Sequence, residues 1–251
     1  MKVSIVTAVR NGAGEIGATL ASVEAQDHAD IEHVVVDGAS TDGTAEIVRR
    51  DGRRVAQLLS EPDRGVYDAF NKGLVLATGD VIGYLNAGDV YDGPGVVSRI
   101  VAQFATAEVD AVFGDVVITE SGQSGRVLRH YRSCGFSPQR LGWGFMPAHP
   151  SLFVRRAAYE RCGAYDTSYR IAGDFELCIR LFAEQKIRYA CLPQVLVRMP
   201  RGGLSNSGWR SKWTITREMH RACRAHGIPT SYVKLFARFP VKALEVLRHG
   251  G

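Results

Sequence analysis

The sequence contains no Cys-x-x-Cys pair, no internal repeat, no low-complexity stretch and no long apolar run. Its five cysteines, Cys134, Cys162, Cys178, Cys191 and Cys223, are odd in number and scattered. That argues against a structural zinc site or a disulfide framework, and it fits a reducing cytoplasm. The apolar run within MKVSIVTAVRNG is too short for a signal peptide or a membrane span, and nowhere do about 18 uncharged apolar residues follow one another. Neither secretion by a visible signal nor integral membrane insertion is expected.

What is present is a chain of 251 residues, 45% hydrophobic and 23% charged, which is ample for a packed core. The net charge of +5 is unevenly spread. Residues 198–251 hold eleven Lys/Arg and two acids, whereas the first 197 residues hold 20 basic and 24 acidic side chains. A mildly acidic body of this kind is not expected to bind nucleic acid.

Apolar patterning divides the first half into alternating units. Strands are predicted at Val3–Val9, His33–Val36, Val55–Leu59 and Val81–Leu85. Between and after them, helices are predicted at Glu15–Gln26, Thr44–Arg50, Val66–Ala77 and Gly95–Ala105. This alternation implies an α/β fold with a mostly parallel central sheet flanked by helices. Beyond Val109 the pattern loosens. Strands are expected at Ala111–Thr119, Arg126–Tyr131 and Ser151–Arg155, with a strand pair in Arg188–Val197. Helices are expected at Ala157–Cys162 and Asp174–Gln185, and a Gly-, Pro- and aromatic-rich segment at Ser133–Pro150 is expected to lie over a site. A mobile loop at Gly202–Gly208 precedes a helical extension, about Trp209–His226 and Tyr232–Arg248.

Gly12-Ala13-Gly14-Glu15-Ile16-Gly17 is a formal GxGxxG between a strand and a helix, with Asp37 twenty residues beyond its end. Alone, it reads as a dinucleotide-binding fingerprint and an NAD-dependent oxidoreductase. Arg10 and Asn11, however, separate the first strand from the first glycine, and Asp37 is followed by the turn-and-cap sequence Gly-Ala-Ser-Thr-Asp-Gly-Thr. Both features depart from the fingerprint.

Four aspartates fall at or just after predicted strand ends or open a helix: Asp37, Asp63, Asp89 and Asp174. Ligands of open α/β sheets bind in the crevice outside the strand ends. A carboxylate at Asp37 can accept from a base N–H or a ribose hydroxyl. Asp89, with Asn86 nearby, suits a hard divalent cation such as Mg²⁺ or Mn²⁺ bridging a diphosphate. Asp174 opens a helix whose inner face carries Phe175, Leu177 and Leu181, and a helix N-terminus favours the ionised carboxylate that a general base requires. Each of these also has a plainer reading, as a turn former or helix cap.

Six ordered segments, VSIVTAVRNGAGEIGATLASVEAQ, VVVDGASTDGT, SEPDRGVYDAFNKGLVLATGD, YLNAGD, AHPSLFVRR and YDTSYRIAGDFELCIRL, resemble the family 2 glycosyltransferases of GT-A fold. The nearest subgroup builds bacterial exopolysaccharides, O-antigens and glycolipids. The resemblance implies a GT-A catalytic domain over residues 1–206, with nucleotide-sugar binding in about 1–110 and the acceptor and catalytic part in about 111–206. It implies inverting transfer from a nucleotide-sugar donor, UDP-linked, to a lipid-linked or saccharide acceptor, with Mg²⁺ or Mn²⁺. Thr7, Ala8, Arg10 and Asp37 would line the nucleoside pocket, and Asp63 and Arg64 would lie near the base or ribose. Asn86 and Asp89 would occupy the metal and diphosphate region, Asp174 would be the catalytic base, and His149 would line the donor–acceptor cleft. The metal motif of the family, Asp-x-Asp and a further acid, reads Asn86-Ala87-Gly88-Asp89 here, leaving Asp89 as its sole carboxylate. The Gln-x-x-Arg-Trp motif of processive synthases is missing, which implies a single addition rather than polymerisation. An NAD-dependent oxidoreductase and a catalytically inactive GT-A binding module stand as the alternatives.

Residues 207–251 form a basic amphipathic tail. Lys234, Arg238 and Lys242 recur every four residues on one helical face with Glu245 and His249, apolar residues cover the rest, and Pro240 is a candidate to kink the segment or split it in two. With Trp209, Lys212, Trp213 and Arg217 upstream, the pattern over 209–248 suits a helix on an anionic membrane surface. A cytoplasmic protein, peripheral on the inner face of the cell membrane, is the expectation. The plainer alternative is two helices packed on the catalytic domain with their cations in water.

Overall fold

The structure, a computed structural model, describes residues 1–120, 125–201 and 208–247. Four strands open the chain: β1 (Val3–Val9), β2 (Ile31–Asp37), β3 (Val55–Ser60) and β4 (Val81–Tyr84). They lie parallel in the order β3-β2-β1-β4. The helices α1 (Ile16–Glu24), α2 (Thr44–Asp51) and α3 (Val66–Leu76) connect them. Val34, Val35 and Val36 are wholly buried, as expected of a strand covered on both faces.

The sheet continues through β5 (Val90–Tyr91), β6 (Ala111–Thr119), β7 (Val127–Tyr131), β8 (Phe153–Arg155) and β9 (Tyr189–Pro200), giving nine strands among the described residues. Strand β8 runs antiparallel between β4 and β6, while β6 and β9 pair in parallel. The expected strand pair at Arg188–Val197 is therefore one long strand. Helices α4 (Val96–Thr106), α5 (Arg156–Cys162) and α6 (Gly173–Cys178) cover the faces. Helix α6 widens into a π-helical turn at Ile179–Glu184, so the helix expected at Asp174–Gln185 changes pitch midway.

Two large apolar clusters lie on opposite faces of the sheet. One unites Val6, Val34, Phe70, Phe175 and Leu177. The other gathers Val3, Ile5, Val97, Ile100 and Phe104. The two C-terminal helices, α7 (Gly208–Ala225) and α8 (Tyr232–Leu247), are not appended to this body but packed into it. Met219, Ala222, Cys223 and Leu235 join the first cluster, so the boundary expected after residue 206 does not separate two cores.

Three expectations about composition and pattern need correction. Cys134 and Cys191 form a disulfide across 57 residues, with Cα atoms 5.3 Å apart, so the thiol argument for a reducing compartment falls away. Arg238 is not on a solvated face. It is 2% exposed and donates to Thr216 Oγ1 at 3.1 Å and to the Met219 sulfur. Helix α8 also continues across Pro240, so the segment is not split in two. The loop expected at Gly202–Gly208 falls at 202–207 outside the described residues, as do His249 and the side chains of Lys242 and Glu245.

Candidate active site at the sheet edge

Register places the strand ends side by side. Val9 pairs with Asp37, Asp37 with Ser60, and Val6 with Tyr84. The segments following these four strands therefore emerge along one edge, where α/β proteins bind ligands.

Asp37 is fully buried there. Ser40 donates both its amide, at 3.1 Å, and its hydroxyl to the carboxylate, and Ser60 Oγ donates at 2.6 Å. The Ser40 amide also reaches Oδ1 at 3.4 Å, so the two serines fill the roughly four acceptor positions of the carboxylate. Beside it, a Cβ at Gly38 would strike Asp63 and pack against the Arg10 side chain at 3.4 Å. Position 38 must be small for Asp63 and the Arg10 side chain each to approach the β2 end. Asp63 also accepts the Gly65 amide at 3.0 Å. Arg64 is exposed and pairs with Asp68 at 3.1 Å. Thr7 offers no side-chain surface to this pocket. It is fully buried, and its hydroxyl bonds the Leu85 carbonyl at 2.7 Å and His33 Nε2 at 2.9 Å, pinning β1 to its two neighbours. Ala8, the next residue, is partly exposed.

The GAGEIG loop is not a phosphate cradle. The amides of Asn11, Gly12 and Ala13 are engaged by Ser40 Oγ, Thr44 Oγ1 and Asp42 Oδ2 at 2.7, 3.0 and 3.0 Å. A dinucleotide site needs such amides to face a pyrophosphate. Here they tie the first loop to the loop that begins α2.

After β4, Asn86–Asp89 forms a tight turn closed by the Asp89 amide on the Asn86 carbonyl at 3.0 Å, with Gly88 at φ +94°. Thr19 on α1 holds the turn. Its hydroxyl accepts the Gly88 amide at 3.0 Å and donates to the Asp89 carbonyl at 2.9 Å. Asp89 is 5% exposed, and neither its Oδ2 nor Asn86 Oδ1 has a hydrogen-bond partner among the described residues. Burial pushes the Asp89 carboxyl up to about 8, the backbone amide of Asn86 pulls it down, and the charge of Glu15 adds to the rise. Among the described residues, no three His, Cys, Asp or Glu side chains gather to hold a cation unaided. One carboxylate with one amide oxygen nevertheless fits a Mg²⁺-like ion, which takes few protein ligands and completes its shell with substrate phosphates and water.

Asp174 is the second residue of α6 rather than its cap, and it is half-buried. Its Oδ1 accepts from the Phe175 amide at 2.8 Å and from Tyr67 Oη at 3.3 Å. Tyr67 also donates to the Ile171 carbonyl at 2.5 Å and stacks on Tyr165 with centroids 5.6 Å apart. Burial and the Asp174 charge drive the Tyr67 phenol far above its ordinary range, so it remains a donor. Tyr165 Oη meets His149 Nε2 at 2.8 Å, and His149 stacks on Phe70 at 5.3 Å. Desolvation among these rings lowers His149 to about 4, so it is neutral at pH 7. An aromatic wall thus links Asp174 to His149. A small cavity of about 140 Å³, lined by residues including Arg64, Tyr67 and Tyr169, lies between the α3 N-terminus and the loop before α6.

Sequence reading missed four residues that build this site. Ser60 and Tyr67 are invisible until β3 and α3 are placed against Asp37 and Asp174. Glu15 was hidden inside the dinucleotide-like motif. Glu218, assigned to the tail, is 8% exposed and accepts the amides of Arg170, Ile171 and Ala172 at 3.0, 2.9 and 2.9 Å. It therefore fixes the loop that leads into Asp174.

Residues 4–163 match the family described as glycosyl transferase family 2. A PGL/p-HBAD biosynthesis glycosyltransferase of Mycobacterium bovis is 31% identical over 210 residues, covering 81% of this chain and 79% of the relative. An uncharacterized glycosyltransferase of Mycobacterium tuberculosis is 32% identical over 186 residues, 71% of this chain and 68% of that one. Among solved structures, TarS 1-349 of S. aureus in complex with UDP-GlcNAc superposes with a TM-score of 0.68 at 18% identity. The match covers 88% of this chain but 66% of that one, just under two thirds. The mannosyltransferase PcManGT of Pyrobaculum calidifontis, in complex with GDP-Man and Mn²⁺, gives a TM-score of 0.63 at 21% identity, covering 97% and 80%. These structures share the expected α/β architecture, and the oxidoreductase alternative is set aside. The chain belongs to glycosyl transferase family 2.

Proposed function

We propose that the protein moves a sugar, with inversion, from a nucleoside diphosphate sugar to a hydroxyl of a lipid-linked or saccharide acceptor. UDP is the nucleotide favoured for the donor. The observation that carries this reading is the span of α3. The loop before it sets Asp63 against Gly38 at the β2 end, while its first turn sets the Tyr67 hydroxyl on Asp174. One rigid helix thereby relates a nucleoside pocket to a candidate base. The donors held by relatives of the same fold, UDP-GlcNAc and GDP-Man, support the substrate class.

In this reading Arg10, Asp37, Asp63, Arg64 and the Ala8 segment border the nucleoside. Asn86 and Asp89 would hold Mg²⁺ or Mn²⁺, which when bound offsets the charge of the departing diphosphate. Asp174 takes the proton of the acceptor hydroxyl. The acceptor oxygen bonds to the anomeric carbon opposite the leaving group, and the bond from that carbon to the diphosphate oxygen breaks. His149, neutral, lines the cleft as an aromatic and hydrogen-bonding surface rather than as a cation.

Asp174→Asn keeps the shape but not the basicity. Transfer is expected to fall about 10²–10⁴-fold, while calorimetry with UDP or GDP gives unchanged affinity. A variant that retains most of its transfer rate removes Asp174 from the mechanism.

We further propose that the tail docks on an anionic membrane, at the inner face of the cell membrane. No helix among the described residues is long and apolar enough to cross a membrane. Support comes from an exposed apolar surface rather than from the basic stripe, since Arg238 is buried. Trp209 is 76% and Val233 80% exposed, and Trp213 stacks on Tyr232 and Phe236 with centroids 5.7 and 6.1 Å apart. Lys212 and Arg210 flank this patch on α7. Exposed apolar patches mark interaction surfaces, and aromatic and basic side chains together suit a bilayer interface. Val233→Asp with Phe236→Asp should reduce flotation with anionic vesicles by about tenfold or more. Binding that survives the pair rejects the surface.

A further inference from the structure

We propose that Glu15, at the start of α1, is a ligand of the same divalent cation, supplying from another segment the carboxylate that Gly88 lacks. The inference rests on the reading in which Asn86 and Asp89 hold the metal, and it adds a residue outside that motif. Its basis is geometric. A Cβ at Gly88 would lie 3.6 Å from Glu15 Oε2 and 3.8 Å from Glu15 Cβ. The Glu15 carboxylate thus stands over the turn, on the side toward which a side chain at position 88 would project. Position 88 itself is poorly suited to carry one, having φ +94° and Pro200 Cγ 3.3 Å from the same Cβ.

Nothing within α1 uses this carboxylate. Glu15 is the cap residue of the helix, yet it makes no side-chain capping bond. Four residues along the same helix, Thr19 grips the turn through the Gly88 amide and the Asp89 carbonyl. Glu15 and the Asn86–Asp89 turn are therefore held in one register.

A second observation points to a ligand at this place. Asp89 is 95% removed from solvent, and its Oδ2, together with the buried Asn86 Oδ1, lacks a partner among the described residues. The Glu15 carboxylate over the turn, with an unpartnered Asp89 oxygen and an unpartnered Asn86 amide oxygen, forms an all-oxygen set that suits a hard cation. The carboxylate count that sets cation affinity would then be two, drawn from the β1–α1 and β4–β5 segments instead of one contiguous motif.

The test measures Mn²⁺ binding by electron paramagnetic resonance, in the presence of UDP and separately of GDP, with circular dichroism melts to verify folding. Glu15→Gln is expected to weaken Mn²⁺ binding about tenfold and Asp89→Asn about hundredfold or more. Adding Asn86→Asp to Glu15→Gln returns a carboxylate to the turn and should recover the loss. Unchanged binding in Glu15→Gln, or a double variant that stays weak, overturns the role of Glu15. If Asp89→Asn still fails to bind in that case, the turn remains the metal site. A wild-type protein that binds no Mn²⁺ beyond what the nucleotide alone holds, or an Asp89→Asn variant that binds normally, overturns the underlying metal reading as well.

Discussion

The ends of β2 and β4 each present a buried aspartate to the same sheet edge, and the fold treats the two oppositely. Asp37 is wrapped by two serines that donate to both of its oxygens. Asp89 is buried to nearly the same degree with one oxygen left unpartnered and its carboxyl pushed up to about 8. Burying a carboxylate oxygen without a donor is costly. Where a chain tolerates that cost beside a binding crevice, a functional role is the economical explanation. The difference separates a carboxylate that the protein completes for itself from one that the proposed cation would complete.

That contrast can be broken from either side. Asp37→Ala leaves Ser40 and Ser60 facing a cavity, so stability at pH 7 is expected to fall by roughly 3 kcal/mol, with weaker nucleotide affinity. Chemical denaturation and calorimetry with UDP or GDP measure the two losses, and a variant as stable as wild type would erase the distinction. Asp89→Asn should do the reverse. In cation-free buffer at pH 7 an amide replaces a carboxyl that is largely protonated already, so stability should move by less than about 1 kcal/mol. The same variant should lose Mn²⁺-dependent transfer by about hundredfold. A large stability loss in cation-free buffer would mean that Asp89, too, is structural.

The Thr7–His33 pin between β1 and β2 gives a smaller, pH-dependent loss. His33, bonded to Thr7, is lowered by burial from 6.5 to about 4. Below pH 6.5 the unfolded chain takes up a proton that the folded chain refuses. The contribution is therefore complete above pH 6.5 and is lost as pH falls toward 4. At pH 5 the loss is about 2 kcal/mol, and His33→Gln should flatten that part of a stability profile measured from pH 7 to pH 4.

The parallel half of the fold was legible because apolar runs such as His33–Val36 alternate with helical spacing, and both signals are local. Strand-end aspartates could be named for the same reason. What could not be read depends on contacts between distant segments. The Cys134–Cys191 disulfide spans 57 residues with no diagnostic spacing. The every-fourth-residue placement of Lys234 and Arg238 was real, but the face a helix buries is decided by its neighbour. Here α7 offered Thr216 and Met219 to Arg238, leaving Val233 and Phe236 outside. Glu15 was read within a nucleotide motif whose amides turned out to be engaged by the next loop. Its bearing on Gly88 exists only once β1 and β4 lie side by side.

The contact of Glu218 with three consecutive amides sets a lower limit on the smallest chain that can work. Ending the protein before α7 would strip Arg170, Ile171 and Ala172 of their shared acceptor, two to four residues ahead of the proposed base. Helix α7 also bears Trp209 and Trp213, so the proposed membrane contact and the support of the proposed base share one helix. A load applied to one end of that helix is delivered at the other.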